Sequence, residues 1–170
     1  MDQNMINLLM SLLALLVSFF SFYLVNDLRK KSATQAKPEQ FSTKPLQLQA
    51  YERLVMLTER ISIPNLVSRA NQGGLSSREM QLILLESIKQ EYEYNASQQI
   101  YVSPVAWEAV RNLKDQNMLI INQIAQTLPA DSKGYDLGKR IMEVIIAQDK
   151  KALHNIVLEA LNFEARKLMK

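Results

Sequence analysis

The chain has 170 residues, of which 48% are hydrophobic and 22% charged, with a net charge of +3, one histidine and no cysteine. This composition fits one modest folded domain with additional segments, and it excludes a disordered or fibrous chain. Without cysteine there is no disulfide, thiolate nucleophile, cysteine-ligated zinc or iron–sulfur cluster, so we expect no cofactor and no metal.

The first predicted element is a membrane-spanning helix. No charged residue lies between Asp2 and Asp27, and the run from Met5 to Val25 is apolar. As a helix this run is about 32 Å long, which matches a hydrocarbon layer of about 30 Å. An acidic residue precedes the run and no small-residue cleavage site follows it, unlike a secretory signal peptide. We therefore assign residues 1–26 to a transmembrane anchor, rather than to a cleaved signal or a buried core helix.

The flanking charges predict the orientation of this anchor. Arg29, Lys30 and Lys31 follow the span, whereas Asp2 is the only charged side chain before it. Basic residues next to a span favour the cytoplasmic side. We expect a single span with the N-terminus outside and the C-terminal domain in the cytoplasm.

Small and polar residues inside the span recur at steps of four and three residues, so they share one face of the predicted helix: Asn7, Ser11, Ala14, Ser18 and Ser21. In lipid, helices associate through close packing over small side chains and through hydrogen bonds. The pattern predicts a homo-oligomer or pairing with another membrane protein through the span. A chance alignment of residues that are common in spans is the alternative.

The basic excess of the chain is concentrated in residues 27–44, a basic juxtamembrane linker with five basic and two acidic residues. Basic residues near an anionic leaflet are attracted to it, so the lipid bilayer is the expected partner of the linker. The remaining domain, residues 45–170, has 15 basic and 14 acidic residues and no basic stripe. We therefore expect no nucleic-acid partner.

Residues 45–170 are predicted to form an all-α cytoplasmic domain, a helical bundle of about four main helices. Pro45 suits the first turn of a helix that continues to an interruption at Pro64, and residues 65–70 suit a short turn of helix. After Gly73 and Gly74, residues 76–79 read Ser-Ser-Arg-Glu, a capping box for the next helix.

The second half of the domain has two further helical regions. Ser103 and Pro104 begin one region, which stops at Pro129. Asp131 or Ser132 opens the last region, which is either one helix or two helices with a break near Asp149. Only the segment 98–102 has an ambiguous, strand-like alternation.

Two segments carry a resemblance to a known family. The stretch 46–69 reads LQLQAYERLVMLTERISIPNLVSR and the stretch 95–108 reads NASQQIYVSPVAWE. With the span, they resemble a family of uncharacterised small single-span membrane proteins from Bacteroidota, a domain of unknown function. The resemblance implies the topology, the helical fold and a bacterial inner membrane, and it implies no catalytic residue.

Three groups of charged or aromatic residues are candidate catalytic or binding sites. The Glu-Arg pairs at 52–53 and 59–60 suit a docking ridge or an anion site, but a solvated helix face with local ion pairs is favoured. Glu86, Glu91 and Glu93, with tyrosines at 92 and 94, point to different sides of a helix and do not converge as acid–base catalysis requires. His154 has no partner motif, so a structural or surface role is favoured. We therefore predict no catalytic residue.

The polar segment 95–103 connects two predicted helices. Connections carry function more often than core faces do, and amides with tyrosine make adaptable contacts. We interpret Gln98, Gln99 and Tyr101 as a possible partner contact. Capping of the preceding helix by the two glutamines is an equal alternative.

The function predicted from these features is a non-enzymatic, membrane-anchored helical protein-interaction module. It would act as a scaffold or as a small subunit of an inner-membrane assembly. One alternative is a membrane-surface enzyme or lipid-acting protein with a site built from scattered Glu, Tyr and Arg side chains. Another is a regulator that senses the membrane through the basic linker.

Overall fold

The computed structural model describes residues 3–35, 42–70, 73–147 and 153–170, and describes the side chains of the first helix from Met10 to Lys30. All regular elements in these residues are helical, which confirms the predicted all-α class. They are α1 (Gln3–Gln35), α2 (Lys44–Arg60), α3 (Ile63–Ala70), α4 (Ser77–Tyr94), a 3₁₀ helix (Ala96–Ile100), α5 (Pro104–Gln126), α6 (Gly134–Ala147) and α7 (Leu153–Leu168).

The first helix, α1, is a single rod of 33 residues, about 50 Å long at 1.5 Å per residue. Its segment Met10–Lys30 is long and apolar enough to cross a membrane, and none of that segment is buried. The helix continues past Val25 to Gln35 and so includes the first part of the predicted juxtamembrane linker, residues 27–44. Residues 36–41 of this linker lie outside the described residues. The chain divides into two compact units, residues 1–42 and 43–170.

In the second unit, α2 begins at Lys44 with Pro45 in its first turn, as predicted. α3 begins at Ile63, two residues before the predicted turn of helix, and has Pro64 in its first turn, where a missing N–H costs nothing. Between the two helices, the carbonyl of Glu59 accepts hydrogen bonds from the Ser62 hydroxyl at 2.8 Å and the Asn65 amide at 2.9 Å. These side chains satisfy the carbonyl that the end of α2 leaves without a helical partner.

The predicted starts of α4 and α5 are confirmed in detail. The Ser76 side chain accepts a hydrogen bond from the Glu79 backbone N–H, and the Glu79 carboxylate accepts one from the Ser76 backbone N–H at 2.8 Å, which is the complete capping box. The Ser103 hydroxyl likewise caps α5 by accepting from the Ala106 N–H at 3.0 Å. The strand-like segment 98–102 forms the end of the 3₁₀ helix and a turn instead.

The last helical region consists of two helices, α6 and α7, so the domain has five long helices where about four were expected. Residues 148–152, including the predicted break near Asp149, lie outside the described residues. α6 begins at Gly134 and not at Asp131 or Ser132. The reason is a short antiparallel bridge, in which the Ser132 carbonyl accepts from Ser77 N–H and Gly134 N–H donates to the Leu75 carbonyl.

The core of the second unit lies where α2 packs on α7 and where α4 packs on α5 and α6, with α5 also touching α7. Burying a large apolar side chain contributes about 1.5–3 kcal/mol, so this core accounts for a self-contained fold. Its largest fully buried side chains are Leu54, Leu57, Ile61, Leu66, Met80, Leu84, Ile88, Leu113, Ile121, Leu137, Ile141 and Leu161.

Candidate functional site

One end of the helical unit is organised around the buried side chain of Tyr51. Its hydroxyl donates a 2.5 Å hydrogen bond to Glu164 Oε2 on α7 and accepts a 3.1 Å bond from the Ser103 backbone N–H before α5. Burial, and the bond to Glu164, raise the pKa of Tyr51, so the phenol stays protonated as the donor. This junction brings together α2, α7 and the segment that leads into α5.

The predicted partner contact lies beside this junction. Gln98 is half-buried and its amide donates to the Ser97 hydroxyl at 3.2 Å, whereas Gln99 and Tyr101 are exposed. The structure adds two residues that the sequence analysis missed, since Ile100 is 74% exposed and Val105 is 72% exposed. The signal that could have found them is the absence of any charged residue from 94 to 107.

The two Glu-Arg pairs of α2 do not act as one ridge. Arg60 forms an ion pair with Glu91 on α4, with Nε 2.6 Å from Oε1. Glu59 instead lies beside His154 on α7. Glu52 is exposed and Arg53 is half-buried. The charges of the second pair therefore connect α2 to two different helices.

The acidic and aromatic patch at the end of α4 is also divided. Glu91 is held by Arg60, while the Tyr92 ring stacks against Trp107 with centroids 5.1 Å apart and lies under the Lys114 ammonium at 4.7 Å. Glu86 accepts a hydrogen bond from Gln90 one turn further along α4. The carboxylates do not converge on one point. Within the described residues, no group of three His, Asp or Glu side chains could hold a metal ion.

His154 lies in a cleft of about 370 Å³ between α2, α3, α5, α6 and α7. Its Nε2 is 3.7 Å from Glu59 Oε2, and its Nδ1 is buried without a hydrogen-bond partner in the described residues. The polar wall of the cleft also includes Asn65 and Asn117, both of which donate to carbonyls at the end of α2. One imidazole beside one carboxylate can bind a polar ligand group or transfer a proton, but sequence spacing gave no indication that they meet.

A second concave surface, the α6 groove, is an open groove of about 340 Å³. Exposed Tyr135 and Ile146 mark its two ends along α6, and Met142 lies between them. At Gly138 an added Cβ would lie 3.1 Å from Met80 Cε and 3.3 Å from Val67 Cγ1, so the glycine keeps the helix close to the groove floor. The sequence analysis did not identify this groove.

The residues predicted to act in the membrane all lie on α1. Because α1 is continuous, positions 7, 11, 14, 18 and 21 share one helical face, and Ser11, Ala14, Ser18 and Ser21 are exposed. Arg29 and Lys30 are exposed on the same helix. The side chains of Asn7 and Lys31 lie outside the described residues.

The fold therefore defines a class of all-α proteins in which an exposed apolar N-terminal helix precedes a self-contained helical unit. The model of the family of unknown function DUF7935 matches residues 3–168, nearly the whole chain, and the protein belongs to this family. The resemblance to a domain of unknown function is confirmed to that extent. No curated protein and no solved structure matches the chain.

Proposed function

We propose that the protein is a membrane-anchored helical protein-interaction module, a scaffold or small subunit of an inner-membrane assembly, and not an enzyme. The observation that carries the proposal is the contrast between α1 and the second unit. The apolar segment Met10–Lys30 contains no buried residue, whereas residues 43–170 bury a core of their own. An apolar helix of this length with its large side chains exposed suits a lipid environment.

The proposal includes a bacterial inner membrane, a single span and an origin in Bacteroidota. Arg29 and Lys30 follow the span on α1, so the positive-inside rule favours a cytoplasmic second unit and an N-terminus outside. Protease protection in sealed spheroplasts tests this orientation. Digestion of residues 43–170 from the periplasmic side would contradict it.

Two surfaces support the interaction role. The small-residue face of α1 suits helix pairing in lipid, where close backbone approach replaces the hydrophobic effect. The α6 groove suits an amphipathic helix from a protein partner, because exposed Tyr135 and Ile146 provide apolar contacts and Lys139 and Glu143 provide polar edges. The partner is thus a membrane protein or a second copy of this chain that presents such a helix.

Crosslinking in native membranes followed by mass spectrometry tests the role. We expect a stoichiometric protein neighbour, lost from the groove in Ile146→Glu and retained in Leu119→Glu, a 55% exposed site on α5. For the span, Asn7→Leu with Ser18→Leu should weaken association, while Leu16→Ile on the opposite face should not. Retention of every crosslink in the groove and span variants, or no neighbour at all, would overturn the proposal.

A second candidate function is supported by the His154 cleft, which suits a membrane-surface enzyme or a lipid-acting protein. An imidazole with an unpaired buried nitrogen beside a carboxylate can bind or deprotonate a polar group. If this function is correct, a lipid or metabolite should copurify with the wild-type chain and be lost in His154→Leu. Copurification that does not change in His154→Leu would leave the interaction module as the better explanation.

A further inference from the structure

The end of the helical unit at which α2 begins differs from the rest of the unit in its exposed apolar and basic side chains. The Tyr51 junction places the start of α2, the segment before α5 and the last turns of α7 together. The opposite end is marked by Gly134 N–H, which donates to the Leu75 carbonyl next to the start of α4. The 18 residues of α4 separate the two ends by about 26 Å.

The centre of this end is the uncharged segment 94–107, which consists of the last residue of α4, the 3₁₀ helix and the first turn of α5. From Tyr94 to Trp107 there is no charged residue. Three of its large side chains project into solvent: Ile100 at 74% exposed, Val105 at 72% and Tyr101 at 37%. Aliphatic and tyrosine side chains of this kind enter the boundary between lipid headgroups and acyl chains.

The periphery of this end is basic. Lys44 begins α2, and Arg166, Lys167 and Lys170 lie on or just after the last turn of α7, all four exposed. Residues 43–51, 94–107 and 162–170 together carry these four basic side chains and the single carboxylate of Glu164, a net charge of +3. The remainder of residues 43–170 has a net charge of −1. The net positive charge of the unit therefore lies in these three segments, although Glu52, Glu93 and Glu108 directly flank them.

We propose that this end of the helical unit binds the surface of an anionic bilayer. Ile100 and Val105 enter the interface, and Lys44, Lys167 and Lys170 contact lipid phosphates. The inference rests on the proposed membrane anchoring. Two observations favour lipid over a protein partner. Four basic side chains lie at the same end as the uncharged segment 94–107, and the juxtamembrane segment joins the unit at Lys44, so tethering raises the lipid concentration at this end.

The test uses the full chain in vesicles of phosphatidylcholine, with or without phosphatidylglycerol. Because the chain has no cysteine, a spin label attached to one introduced cysteine reports on that site alone. Separate variants carry Ile100→Cys, Val105→Cys, Tyr135→Cys at the opposite end, or Val17→Cys in α1. Collision with oxygen and with a water-soluble nickel chelate measures the depth of each label.

With phosphatidylglycerol present, labels at positions 100 and 105 should have an oxygen-to-nickel collision ratio several-fold higher than the label at 135. The ratio should fall towards that of position 135 in phosphatidylcholine alone. It should also fall when Lys167→Gln and Lys170→Gln are added to Ile100→Cys. The matched pair Lys89→Gln and Lys133→Gln, two exposed lysines elsewhere, should leave the ratio unchanged.

The label at position 17 separates the two proposals. If position 17 reports lipid while positions 100 and 105 report water, bilayer binding by this end is wrong and the anchor stands. If position 17 also reports water, the anchoring fails as well. A label at position 100 that reports water in vesicles, but crosslinks to a protein in native membranes, would overturn lipid binding and identify segment 94–107 as a protein contact.

Discussion

The Tyr51 hydroxyl donates its hydrogen bond to Glu164 across a separation of 113 residues, and so fixes α7 against α2. The same oxygen accepts from the Ser103 N–H, so one buried atom connects three segments. Removing this hydroxyl would leave the Ser103 N–H and the Glu164 carboxylate without their hydrogen-bond partner, which costs free energy in a buried position.

Tyr51→Phe should therefore lower the free energy of unfolding by about 1–3 kcal/mol. Thermal unfolding of the full chain in detergent, followed by circular dichroism, measures the change. Tyr135→Phe, at a 65% exposed position, should have little effect. Because the pKa of Tyr51 is raised, the wild-type stability due to Tyr51 should be complete below pH of about 10 and decline above it. An unchanged Tyr51→Phe melting curve would show that the junction is not stabilising.

The capping box of α4 gives a pH-dependent prediction. Hydrogen bonds from the Ser76 backbone N–H, and then from its side chain, lower the pKa of Glu79. A lowered pKa in the folded state means that the stabilisation is present above the ordinary glutamate pKa and is lost as the pH falls through the folded pKa. Glu79→Gln should thus be less stable than wild type at pH 7, and the difference should shrink in acid. Glu159 is an exposed carboxylate on α7. The stability difference between Glu159→Gln and wild type should not shrink in acid in this way.

Removing the Asn117 side chain should lower the free energy of unfolding, because this side chain caps the end of α2. Its buried amide donates a 2.8 Å hydrogen bond to the Ile61 carbonyl at the end of α2. Asn117→Ala should lower the free energy of unfolding by about 1–3 kcal/mol, because that carbonyl stays buried without its donor. Gln123→Ala, an exposed amide on the same helix, is the control, and denaturant unfolding is the measurement. Equal midpoints for the two variants would contradict the prediction.

The two glycines of α6 should respond differently to alanine. At Gly134 an added Cβ would lie 3.2 Å from the Leu75 carbonyl oxygen and from two Cβ atoms, which cannot easily move. Gly134→Ala should cost about 1–3 kcal/mol, as overpacking usually does. At Gly138 the nearest atom, at 3.1 Å, is the flexible end of Met80, and alanine favours the helix by up to about 1 kcal/mol. Gly138→Ala should therefore be the more stable of the two variants in the same melting experiment.

Local signals in the sequence were sufficient for most helix positions. Ser76 with Glu79, and Ser103 with Pro104, form caps within four residues, so their chemistry can be read directly from the sequence. The start of α6 was predicted wrongly because the pairing of Ser132 with Ser77 depends on two segments that are distant in the chain.

The sites were harder to predict than the helices. Glu59 and His154 lie on different helices and meet only when α2 packs on α7. The exposed Ile100, at the end of the 3₁₀ helix, and Val105, in the first turn of α5, were missed because large aliphatic residues are usually expected to be buried. Helical periodicity predicts which side chains face the core. It does not predict which apolar side chains at the ends of helices remain exposed to solvent.

α1 contains neither proline nor glycine from Gln3 to Gln35, so it lacks the residues at which helices usually kink. Such a rod transmits torsion. A rotation imposed by a neighbouring helix at Ser18 would turn Lys30 through the same angle, 12 residues further along the chain. Association through the small-residue face of α1 would thereby determine the direction in which the basic side chains point around the helix axis. This coupling needs no change in the internal structure of the helix.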